Sequence, residues 1–194
     1  MKAMTSNPGR LALVIALAGV AGGCSDFIRQ DRSPVTLVID RLEASPVQSA
    51  TFSGTLQSDV MTGGTVFSDG GRVTVRLVMK DVTTAPTGVN AVTINRYRVE
   101  FRRSDGRNTA GVDVPNPFDS AVTFTVAPGA AVTQAFELVR HAAKLERPLS
   151  GLSQGLVVIS TVADVTFFGR DQAGNDLSAT GSIGVQFGDF ADPE

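Results

Sequence analysis

From Val35 to the C-terminus, apolar and polar residues alternate in short runs separated by Gly, Pro, Asn and Asp. That is the period-2 signature of half-buried strands between turns. Val35–Leu42 (VTLVIDRL) is β-branched and apolar, and Ala50–Leu56 is a weaker run. Ser68–Gly71 (SDGG) supplies residues that tolerate positive φ and predicts a tight hairpin turn. In Arg72–Val82, positions Val73, Val75, Leu77 and Met79 share one face. In Ala91–Arg103 the inward face carries Tyr97, Val99 and Phe101. Ala121–Ala127 and a segment from Ala131 flank a turn at Pro128-Gly129. The second segment reads as strand to Arg140, and helix formers then allow one helical turn before Pro148. Leu156–Phe168 and Leu177–Phe187 flank the loop GRDQAGND. About eight strands and no long helix predict an all-β fold of the sandwich or barrel kind.

The first 23 residues follow a different pattern. Lys2 and Arg10 precede the apolar run Leu11–Val20, and Ala21, Gly22 and Gly23 follow it. A positive start, a short apolar stretch and small residues describe a secretory signal. Ten apolar residues fall short of the ~20 needed to span a bilayer. The run ends on Cys24, the one cysteine of the chain. With AGGC in that place, residues 1–23 resemble a bacterial lipoprotein signal peptide, although Ala21 stands where Leu, Val or Ile is more usual. The resemblance implies cleavage before Cys24 and its acylation. It also implies a cell-envelope location with the membrane as the first partner. Ser25 resembles an outer-membrane sorting signal. Residues 24–33 then form the lipidated cysteine and a polar tether, reaching about 30 Å when extended, and residues 34–194 form the domain.

Composition narrows the chemistry. The chain has 194 residues, 17 basic and 19 acidic. Removing Lys2 and Arg10 with the leader leaves 15 basic against 19 acidic, with no basic run to attract nucleic acid. One Cys and one His cannot build a zinc site or an intrachain disulfide. His141 has no nucleophile motif near it in sequence, and an ordinary position at a strand end explains it. No cofactor is expected. Oxygen-rich turns at Ser68-Asp69-Gly70, at Asp105–Asn108 and at Asp171 with Asn175 and Asp176 lack EF-hand spacing and suit turn-forming roles. The absence of Trp and the single Tyr argue against a sugar-stacking platform.

One strand stands out. Alternation puts Arg96, Arg98, Glu100 and Arg102 on one face, with Arg103 and Arg107 close behind. Guanidinium groups fit carboxylates and phosphates, so this row could grip an anionic envelope polymer or an acidic patch on a partner. The same row also fits a solvated face crossed by ion pairs, and Glu100 weakens it as an anion site.

The closing segment VTFFGRDQAGNDLSATGSIGVQF resembles the last hairpin of bacterial immunoglobulin-like domains, in which a D-x-A-G-N loop joins the final strands. The mature chain also looks like uncharacterised envelope lipoproteins of this size. The expected fold is therefore an immunoglobulin-like antiparallel β-sandwich of about eight strands. The expected role is non-enzymatic and structural or protein-interacting, with anionic-polymer binding through the arginine strand as the alternative. An enzyme is the least supported reading, since no catalytic constellation is visible.

Overall fold

The computed structural model describes residues 32–47, 49–153 and 155–190. Eight strands form two sheets: β1 (Val35–Ser45), β2 (Thr55–Asp59), β3 (Asp69–Met79), β4 (Val92–Arg102), β5 (Phe118–Val126), β6 (Ala131–Val139), β7 (Ile159–Asp171) and β8 (Asp176–Gly188). One sheet has the order β1-β3-β6 and the other β2-β8-β7-β4-β5. The fold is an all-β sandwich. One pairing departs from the antiparallel expectation: β2 runs parallel to β8, with Thr55 opposite Gly184 and Asp59 opposite Gly188. Between β6 and β7 lies a five-residue helix, α1 (His141–Leu145), where the sequence allows a helical turn.

The inward faces carry the residues that alternation selects. Val73, Val75 and Leu77 of β3 are buried, as are Tyr97, Val99 and Phe101 of β4. Tyr97 sits at the centre of an aromatic cluster. Its ring centroid lies 5.2 Å from Phe136, 5.9 Å from Phe167 and 6.2 Å from Phe118. Each buried ring of this kind contributes about 1.5–3 kcal/mol by leaving water. The Tyr97 hydroxyl donates to the Glu137 carbonyl at 3.0 Å, so one side chain spans β4 and β6 and ties the two sheets.

Strict alternation fails once in β4. The ladders to β5 and β7 both shift between Ile94 and Arg96, and Asn95 is the extra residue against β7. This bulge puts Ile94 and Tyr97 both in the core although they are three apart.

Three local expectations need correction. Ser68–Gly71 is not a hairpin turn, because β3 begins at Asp69 and the glycines lie within it. Gly71 is needed for close approach: a Cβ there would lie 2.7 Å from two ring atoms of Phe136. The weak run Ala50–Leu56 gives its strand later, at Thr55–Asp59. Leu156, Val157 and Val158 precede β7 and are exposed, Leu156 completely. The turn at Pro128-Gly129 holds, with Gly129 at φ 79°.

The sandwich has two distinct ends. Ser33, the β3–β4 loop, the β5–β6 turn and the β7–β8 hairpin lie at one end. The long connections 103–117 and 140–158 lie at the other, with α1.

Candidate functional site

The arginine row lies on the outer face of the five-stranded sheet. β4 is flanked there by β5 and β7, so its outward side chains meet those of both neighbours. Arg96 and Arg98 converge on Asp119 of β5, at 2.5 and 2.6 Å. Arg98 also holds Glu100 at 2.9 Å. Arg102 reaches across to Asp164 of β7 at 2.5 Å, and Ser182 of β8 donates to the same carboxylate at 2.5 Å. The Arg96 guanidinium lies 3.9 Å above the Phe168 ring centroid. Arg103 and Arg107 do not extend the row. Both fold onto Asp105, at 2.5 and 3.1 Å, at the start of the 103–117 loop.

The electrostatics follow from these partners. Partial burial pushes the Asp119 carboxyl up, but the hydrogen bonds and charges of Arg98 and Arg96 outweigh it and leave the group below its ordinary value. The Asp164 carboxyl is raised by burial and lowered further by Arg102 and Ser182, ending low. Asp105 is held low chiefly by the Arg103 side chain, then by the Arg107 amide. Arg98 is raised by Glu100 and Asp119, Arg102 by Asp164 and Arg103 by Asp105. Each of the five arginines thus meets a carboxylate of its own chain. On the row itself Arg96, Arg98 and Arg102 face Asp119, Glu100 and Asp164, so the formal charges balance. An anionic ligand must compete with an internal carboxylate for every guanidinium.

The other sequence candidates fall elsewhere. Cys24 lies outside the described residues, as does the leader. His141 is exposed at the first position of α1. Asp171 serves a turn: it accepts from the Ala173 amide at 3.0 Å, the Asn175 amide at 2.8 Å and the Asn175 side chain at 2.9 Å. Burial raises this carboxyl, and the bonds from Asn175, Ser33 and Ala173 bring it below its usual value. Among the described residues no cluster of His, Cys, Asp or Glu is arranged to hold a metal ion.

Sequence reasoning missed a buried charge cluster. Lys144 of α1 and Asp69 of β3 form an ion pair at 2.8 Å with both side chains 1% exposed. Ser58 of β2 donates to Asp69 at 2.6 Å, and Lys144 also donates to the Asp59 carbonyl at 2.6 Å. The Val47 amide donates to the other Asp69 oxygen at 3.2 Å. In sequence Asp69 reads as a turn residue, and Lys144 among helix formers reads equally well as a solvated lysine. The cluster ties α1 to β2 and β3, one strand of each sheet, with both charges out of water.

No helix among the described residues is long and apolar enough to cross a membrane. Compared with protein-family models, with curated proteins and with solved structures, the chain gives no match.

Proposed function

We propose that this chain is a non-enzymatic cell-envelope lipoprotein. Acylated Cys24 holds the β-sandwich on a membrane surface, with Ser25 directing it to the outer membrane, and the sandwich serves a structural or protein-interaction role. The observation that carries the reading is the placement of Cys24. The sole cysteine of 194 residues closes a short apolar run on AGGC and stands eleven residues before β1. Fatty chains at that position contribute about 0.8 kcal/mol per buried CH₂, and more than one chain gives firm anchoring. An immunoglobulin-like descent for the sandwich rests on the D-x-A-G-N loop, which is the turn that Asp171 organises. The internally balanced arginine face supports protein contact over an anionic polymer.

The test is metabolic labelling with a palmitate analogue in wild-type cells and in cells expressing Cys24→Ala. Label on the wild type alone, with loss of detergent partitioning in the variant, is the expected result. Identical partitioning of the two proteins, or a mature terminus without acyl mass, overturns the anchor. Crosslinking on intact envelopes should then return one reproducible neighbour. Recovery of none argues against the interaction role.

A further inference from the structure

One flank of the sandwich is sealed over only half its length. β1 is an edge strand of its sheet, and its last residues are covered by the incoming chain, where Ala44 bridges Ser53. The same stretch continues as β2 and pairs with Gly184–Gly188 of β8. Residues 53–59 therefore cross from the edge of one sheet to the edge of the other and close the seam there. Toward the other end nothing among the described residues does so. Ala179–Ile183 of β8 pair with β7 alone, and Leu37–Leu42 of β1 with β3 alone. Between them runs an open groove of about 530 Å³, lined by residues including Val38, Ile39, Leu42, Ala179 and Gly181. Ile39, Leu42 and Ala179 pack against the core cluster and are only half-buried. Gly181 leaves room for the two β1 side chains: a Cβ there would meet Ile39 and Leu42 at 3.2 and 3.3 Å.

We propose that residues 25–31 of the tether fill this groove as an added antiparallel strand on β8. This takes the mature start at Cys24 from the reading above. Two observations select the tether over another occupant. The first is where the described chain begins. Ser33 is buried and its side chain hydrogen-bonds Asp171, at the end of the sandwich where the groove opens. The seven residues upstream reach about 23 Å when extended, enough to run beside the free length of β8. The second is composition. Phe27 and Ile28 are the only apolar residues between Cys24 and Pro34, so in either register one of them faces the uncovered Ile39 and Leu42. Arg41 adds a fit for Asp26 or Asp31, since the nearest carboxylate among the described residues, Glu43, stands 4.0 Å away. Added backbone bonds would satisfy an edge that otherwise invites pairing with other chains. Docking would also hold the β1–β8 flank close to the bilayer.

The test is residue-level amide exchange on the full lipidated protein in detergent micelles. The readout is the set of Ala179–Ile183 amides that point away from β7. In the wild type these are protected, and in Ile28→Pro, which cannot complete the ladder, they exchange about tenfold faster or more. Amides of β4 and β7 keep their rates in both. Free exchange of the outward β8 amides in the wild type overturns the proposal. So does protection that rises with protein concentration, which would assign the edge to a second copy. The acyl mass at Cys24 is read on the same sample, so loss of the anchor and loss of tether docking are separate results.

Discussion

Lys144 and Asp69 meet at 2.8 Å with both side chains almost fully buried, one from α1 and the other from the first residue of β3. Removing a single member of such a pair strands the other charge in the core. Lys144→Met should therefore destabilise the domain by about 3–5 kcal/mol. Asp69→Asn/Lys144→Met should recover a substantial part of that loss, because no charge is left buried. Urea denaturation of the single and double variants decides this. Equal losses in both would mean that the stranded Asp69 charge is not the source of the loss.

Tyr97 makes a second tie between the sheets. Its ring packs against Phe118, Phe136 and Phe167, and its hydroxyl serves both the carbonyl and the amide of Glu137, at 3.0 and 3.3 Å. Tyr97→Phe keeps the packing and removes the bonds, for an expected loss of about 1–2 kcal/mol. Tyr97→Ala also empties a central volume and should cost about 3–5 kcal/mol. A near-zero effect of Tyr97→Phe in denaturant titration would show that water replaces the hydroxyl.

These two ties mark what was legible in the sequence. The alternation of Val73, Val75, Leu77 and of Tyr97, Val99, Phe101 gave strand and inward face together, because local period 2 is enough for that. The arginine row was placed on the correct face for the same reason. Its partners were not readable: Asp119 and Asp164 are brought to β4 by strand order, and the sequence does not encode strand order locally. Lys144 belongs to the same class, since its burial depends on β2 and β3 arriving at α1. The glycines of Ser68–Gly71 misled for a different reason. Glycine serves both positive φ and close packing, and only the Phe136 ring across the ladder tells which.

Gly71 makes that distinction measurable. Gly71→Ala places a methyl group against the Phe136 ring and should cost about 1–3 kcal/mol through overpacking. In a Phe136→Leu background the same substitution should cost less, because the ring it strikes is gone. A double-mutant cycle by thermal or urea unfolding measures the coupling. Additive losses would show that the strand relaxes around the new methyl.

Acid should weaken the domain through a defined set of carboxylates. Asp119, Asp164 and Asp171 all lie below their ordinary values in the folded chain: burial raises each, and hydrogen bonds, joined in the first two by arginine charge, more than offset it. A group depressed by folding stabilises fully above its unfolded value, about 3.9 for Asp. That contribution drains away as pH falls through the lower folded value. Melting temperature should therefore be insensitive to these groups from pH 7 to about 5 and fall steeply below about 4. Asp171→Ala should lower stability at pH 7 by about 2 kcal/mol, since three donors of the β7–β8 hairpin lose a charged acceptor. Its deficit relative to the wild type should shrink as pH falls below about 4, where the unfolded carboxylate takes up its proton before the folded one does. A deficit that stays constant across that range would mean that Asp171 acts through shape alone.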